Sequence, residues 1–117
     1  MAQARIASEL GLVPARLQSP FVAAKAGVIN LTRAMALELG SQGALVNCVA
    51  PGSILSEGTG QLFYGPDGKF SDRVQTMLVH IPLGRPGRVE EIAHTVLLLA
   101  APESSYLNGV IIPVDGG

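Results

Sequence analysis

The sequence predicts an α/β fold: a three-stranded parallel sheet with two crossover helices and a long loop between the second strand and the second of those helices. Three observations predict it. Residues 44–50, ALVNCVA, form a nearly continuous apolar run closed by Pro51-Gly52; a run without alternation reads as a strand covered on both faces, as in parallel sheets. Strand-like stretches at 5–8, 44–50 and 110–114 alternate with helical ones at 20–39 and 89–101, and that alternation favours parallel strands joined by right-handed crossovers. Hydrophobic residues make up 48% of the chain and charged residues 15%, so the chain has the apolar content of a packed domain rather than of a disordered one. The length of 117 residues suits one domain, 1–117.

The first strand, Arg5 to Ser8, is a weak one, because Ala2-Gln3-Ala4 in front of it lacks β-branched residues. Gly11 and Pro14 mark 11–18 as a loop. Ser19 is a good N-cap, with Pro20 at the favoured first helical position, and the helix runs to Leu39 and ends at Gly40. Its apolar residues (Phe21, Val22, Val28, Ile29, Leu31, Met35, Leu37 and Leu39) cover more than one stripe, which predicts burial on two sides. After the 44–50 strand, residues 52–86 are irregular, with a turn at GPDG (65–68) and a short helix at 72–80 capped by Ser71. That helix is expected to bury Val74, Met77, Leu78 and Ile81. Glu90 and Glu91 open the last helix with negative charge at its positive end, and Pro102 follows its last turn. Ile92, Val96 and Leu99 form its apolar stripe, widened by Ala93, Leu97 and Ala100. The strand 110–114 ends in Asp115-Gly116-Gly117. With the strands in the order 1-2-3, the first is an edge with unpaired N–H and C=O groups.

A formal net charge of −1 with singly scattered Lys and Arg gives no electrostatic footprint for nucleic acid or a membrane surface. No apolar run approaches the ~18 residues a spanning helix needs, and MAQARIAS lacks the apolar core of a secretory signal; a cytoplasmic protein is the expectation. Cys48 is the only cysteine. It lies in the apolar run and reads as a packed strand residue. His80 and His94 are isolated, and no cluster of carboxylates accompanies them, so no metal site is expected.

One constellation carries chemistry. Phe21 and Lys25, in SPFVAAKAGV (19–28), stand one turn apart on a helix face, and Ser8 lies thirteen residues before Phe21. Pro51-Gly52 follows the second strand, in PGSILS, and the chain closes with GRPGRVEEIAHTVLLLAAPESSYLNGVIIPVDGG. Taken singly, Phe21 reads as a core aromatic, Lys25 as a surface lysine and Ser8 as a strand-end serine bonded to backbone. In this order and spacing they resemble the C-terminal half of a short-chain dehydrogenase/reductase, from about residue 6 to 117.

The resemblance implies an incomplete doubly wound, partly Rossmann-like sheet, and hydride transfer between NAD or NADP and a secondary alcohol or ketone. It makes Ser8 the serine that binds the substrate oxygen. Lys25 is the lysine that binds the nicotinamide ribose and lowers the pKa of a tyrosine acid/base. Pro51, Gly52 and Ile54 become the turn against the nicotinamide, with Ile54 approaching the carboxamide through its backbone. Ser56 stands in place of a threonine that contacts cofactor phosphate, and 52–86 is a substrate lid. The sequence departs from the pattern at Phe21, which holds the tyrosine position, and before Ser19, where no glycine-rich strand–loop–helix fingerprint appears. The expectation is a chain with ancestry in that family and without turnover of its own, in which restoring tyrosine alone does not restore activity. Two other readings stand beside it. One is an oxidoreductase whose proton comes from water or Tyr64. The other is an assembly module that pairs with itself or with an intact relative, through the helix bearing Phe21 and Lys25 and through the last helix and strand.

Overall fold

The computed structural model describes residues 1–117. Three parallel strands, β1 (Ala2–Ile6), β2 (Leu45–Pro51) and β5 (Ile111–Val114), form a sheet in the order β1-β2-β5. The register runs from Ala2 opposite Leu45 to Ile6 opposite Val49, and from Cys48 opposite Ile111 to Pro51 opposite Val114. Helix α1 (Ser19–Leu39) connects the first pair of strands and α4 (Val89–Ala100) precedes β5. The three-stranded sheet and its order are as the sequence predicts.

β2 is the centre of the core. Val46, Cys48, Val49 and Ala50 are wholly buried and Asn47 nearly so. Cys48 packs with Ala7 of the β1 exit and Ile29 of α1. Its neighbours Asn47 and Val49 point the other way and are equally buried, so the strand is covered on both faces. The buried Asn47 amide is satisfied: Nδ2 donates to the Leu107 carbonyl at 2.8 Å, and Oδ1 accepts from the Val110 N–H at 3.0 Å. Asn108 does the same one strand position earlier, accepting from Val46 N–H and donating to the Ala36 carbonyl of α1. These two asparagines bind the entry of β5 to β2 and α1. Burial pushes the pKa of the Cys48 thiol up.

Several expectations are corrected. β1 spans Ala2–Ile6, not 5–8; pairing along a buried β2 supplies the hydrogen bonds that the alanines' low strand propensity does not. Gln18, not Ser19, precedes α1, and its side chain makes no capping bond. α1 ends at Leu39 as predicted, but Gly40 stays right-handed and the chain turns three residues later, at Gly43 with φ 79°. α1 is buried on one side only, through Ile29, Thr32 and Ala36, while Leu31 and Leu37 are exposed. In α4, Ile92, Val96 and Leu99 face inward as predicted, but Ala93, Leu97 and Ala100 are exposed.

The 52–86 segment is more ordered than its sequence suggests. It holds β3 (Ile54–Leu55), α2 (Glu57–Phe63) and α3 (Asp72–Leu78), and β3 pairs in parallel with β4 (Gly87–Arg88). The 65–68 turn is present, closed by Gly68 N–H to the Gly65 carbonyl at 3.0 Å. Ser71 caps α3, accepting from Val74 N–H. α3 ends two residues earlier than predicted. Phe63, Val74 and Leu78 form a small core of their own, with Met77 and Ile81 packed against it. No helix is long and apolar enough to cross a membrane.

Candidate active site

The carboxyl ends of β1 and β2 and the first turns of α1 open onto one cleft of about 580 Å³, the position at which parallel α/β sheets offer a crevice for ligands. Ser8, Phe21, Lys25, Pro51, Gly52, Ile54 and Ser56 all line it. Every site residue proposed from the sequence is therefore brought to one place.

Local geometry sets each of them. Lys25 sits one turn after Phe21, and its Nζ lies 5.6 Å from the centroid of the Phe21 ring, a cation–π contact. Lys25 is the only charged residue lining the cleft and takes part in neither of the chain's ion pairs. Its height is fixed by a close approach: a Cβ at Gly11 would lie 2.8 Å from the Lys25 carbonyl carbon, so only glycine lets the turn after β1 press on α1 here. Phe21 is no core residue, at 43% exposed. Ser8 caps the short turn Glu9–Gly11, its Oγ accepting from Leu10 N–H at 3.2 Å. That bond uses a lone pair and leaves the hydroxyl proton free to donate into the cleft.

Gly52 donates to the Val114 carbonyl at 3.0 Å, and a Cβ there would lie 2.7 Å from that of Asp115 and 2.9 Å from Glu9 Oε2. Behind it, burial and then the Asp115 charge raise the pKa of the Glu9 carboxyl. Ser56 is the N-cap of α2: its Oγ accepts from Thr59 N–H, and Thr59 Oγ1 accepts from Ser56 N–H at 2.7 Å and donates to the Ile54 carbonyl at 2.8 Å.

Residues 5–117 match the family model described as enoyl-(acyl carrier protein) reductase. The chain belongs to the short-chain dehydrogenase/reductase family. It is 42% identical over 113 residues to the 3-oxoacyl-(acyl-carrier-protein) reductase FabG of Chlamydia muridarum, a match covering 96% of this chain and 42% of that relative. It superposes with a TM-score of 0.88, at 32% identity, on an oxidoreductase from Haemophilus influenza solved with bound NAD, covering 99% of this chain and 42% of that one. An NADPH-bound short-chain oxidoreductase from Pseudomonas aeruginosa, described as containing an atypical catalytic center, gives a TM-score of 0.85 at 35% identity, covering 99% of this chain and 45% of that one. The chain thus spans about two-fifths of the length of the relatives it matches.

Against this short-chain dehydrogenase/reductase background, the structure also shows what sequence reasoning missed. Thr59, Phe63, Val89 and Ile92 line the cleft as well. The S-x-x-T spacing of Ser56 and Thr59, a capping box, was the available signal for α2 and hence for two of these four. Tyr64, the alternative phenol, does not line the cleft; it stacks on Phe70 with ring centroids 5.1 Å apart. His80 and His94 are exposed and stand outside it.

Proposed function

We propose that this chain supplies the substrate and nicotinamide-ribose side of an NAD(P)-dependent oxidoreductase cleft for a secondary alcohol or ketone, and that by itself it does not turn over. The observation that carries the reading is the Lys25 ammonium standing over a phenylalanine ring in the same cleft as Ser8. The residues fit the nicotinamide–riboside end of the cofactor: Lys25 offers unpaired N–H donors for a ribose diol, and Pro51, Gly52 and Ile54 line the same cleft. They do not reach the pyrophosphate, whose holder in this fold is a glycine-rich strand–loop–helix turn that does not occur in residues 1–117. The cofactor, when bound, supplies or accepts the hydride. Ser8 donates its free hydroxyl proton to the substrate oxygen and orients it, while Lys25 holds positive charge beside it. At position 21 no atom can give or take a proton, and loss of a general acid/base typically lowers the rate by 10²–10⁴.

The segment 52–86 is read as the lid over the substrate and the chain as cytoplasmic, in keeping with its single unpaired thiol. The test is NAD(P)H oxidation by the purified 117-residue chain with a ketone, alongside calorimetry with NAD and NADP. The expected result is no saturable binding at millimolar nucleotide and no turnover, with Phe21→Tyr alone restoring none. Oxidation of NAD(P)H that Lys25→Ala abolishes overturns the reading.

A second reading rests on a separate observation: Leu31 and Leu37 of α1 and Leu97 and Leu98 of α4 are exposed. These apolar faces suit pairing with another copy or with an intact relative. Size-exclusion chromatography that gives only a monomer at high concentration removes it.

A further inference from the structure

We propose that the groove between α2 and α3 is a second ligand site, separate from the cleft, that takes a small amphipathic anion: an apolar body with a single carboxylate at one end. The groove has a volume of about 410 Å³, within the range of small-molecule sites. Leu62 and Phe63 of α2 and Val74 and Met77 of α3 form its walls, with Arg73 beside them. No residue outside 62–77 lines it. The two helices are pinned at both ends of the groove. At the hairpin end Ser71 N–H donates to the Phe63 carbonyl at 3.0 Å, and Tyr64 stacks on Phe70 with ring centroids 5.1 Å apart. At the other end Ser53 Oγ donates to Met77 Sδ at 3.5 Å, which ties α3 to the turn after β2. The spacing of the helices is therefore set from outside the groove, and the groove is formed before any ligand arrives.

Charge selects the occupant. Arg73 is the only charged residue on the groove, and the rest of the lining is apolar. It belongs to neither of the chain's ion pairs, Arg85–Glu91 and Arg88–Glu91, so its planar fork of donors is left for a ligand. A carboxylate matches that fork with two parallel N–H···O bonds. The apolar body attached to it lies against Phe63 and Val74, each 6% exposed, and covers Leu62, which is 71% exposed; that area leaves the water on binding. The unbranched thioether of Met77 adapts to the outline of the body. A cation would meet like charge at Arg73, and a neutral alcohol would leave the guanidinium unused. Phe63 also lines the cleft, so a ligand in the groove fixes one wall of that site. The inference is independent of the proposed hydride chemistry and uses neither the exposed leucines of α1 nor those of α4.

The experiment follows the amide proton and nitrogen shifts of the 117-residue chain during titration with octanoate, hexanoate and 1-octanol. Octanoate is expected to saturate, with its shifts centred on 62–77. Hexanoate, shorter by two methylenes, is expected to bind about tenfold more weakly. 1-Octanol keeps the apolar body and loses the charge, and is expected to bind about fivefold more weakly than octanoate. Arg73→Gln alters an exposed side chain, and is expected to bring octanoate down to the level of octanol while leaving octanol unchanged. Arg73→Lys keeps the charge without the fork and falls between. Shifts that never saturate, or that spread equally over Leu31, Leu37 and Leu97, report adsorption to apolar surface and overturn the inference. Equal affinity for octanoate and octanol overturns it, as does an Arg73→Gln that keeps full octanoate binding or weakens both ligands alike. If Arg73→Gln loses its circular dichroism, the ratio of octanoate to octanol affinity in the parent protein decides.

Discussion

The platform of β1, β2, β5, α1 and α4 and the 52–86 segment are built by different means. In the platform, residues far apart in sequence meet on a central strand whose side chains from Val46 to Ala50 are essentially inaccessible, and two asparagines reach across about sixty positions to bind it. The 52–86 segment is held largely by its neighbours in sequence: Ser56 with Thr59, Ser71 with Val74, and a core of Phe63, Val74 and Leu78. It joins the platform through the two-residue pairing of β3 with β4, through Gly52 and Leu83 N–H donating to the Val114 and Gly116 carbonyls, and through the Arg85–Glu91 ion pair. The cleft lies between the two, so its back wall is rigid and its front wall is carried by a locally stabilised piece that opens at lower cost.

The sharpest way to break that contrast is to damage each core separately. Leu99→Ala, at a site 2% exposed, is expected to cost about 2–5 kcal/mol of global stability, measured by urea unfolding. Leu78→Ala is expected to speed amide hydrogen exchange within 54–81 while the amides of β2 keep their protection. Exchange that rises equally in both regions would mean that they unfold as one. Next in size is Asn47→Leu, which leaves Val110 N–H and the Leu107 carbonyl without partners. About 1–3 kcal/mol is expected, read as a lower denaturation midpoint at unchanged slope.

A third prediction addresses the rigid wall. Phe21→Tyr puts a phenol beside the Lys25 ammonium, and the opposite charge should lower its pKa by roughly one unit, seen in the ultraviolet titration of tyrosinate. Adding Lys25→Met should abolish the shift. The smallest effects are electrostatic, and pH separates the two regions by sign. Glu91, where the 52–86 segment rejoins α4, is held at about 2 by hydrogen bonds from Arg85 and from the Arg88 backbone. A depressed carboxyl contributes stability above its unfolded pKa near 4.5 that is lost as pH falls toward 2. Glu9, on the platform, is raised, so its protonation favours the folded state and stability falls as pH rises past 4.5 through its folded pKa. Urea midpoints between pH 2 and 7 should show Arg85→Ala flattening the first dependence and Glu9→Gln the second.

The same contrast explains what could be read in advance. The pairing of Phe21 with Lys25 is a helical period, and the burial of 44–50 is a composition, so both are local and legible. The strand at Ala2–Ile6 is not, because two alanines and a glutamine become a strand only when β2 offers its register. Thr59 reaches the cleft because Ile54 pairs with Gly87 more than thirty positions away, which no local period encodes. α2 carries two glycines, Gly58 and Gly60, that argue against a helix, and its capping box outweighs them. The apolar residues on several sides of α1 predict burial on two sides; in the structure the sheet covers one side, and the rest face outward.

The lone thiol at Cys48 has a practical consequence. It sits opposite Arg5 on the central strand, shielded from solvent and held in its protonated, unreactive form. A sulfhydryl reagent can therefore reach it only when α1, which covers it through Ile29, lifts from the sheet or the sheet itself parts. The protein comes with its own clock for such openings, and the rate of labelling at that one sulfur is a direct count of how often the core beneath α1 opens.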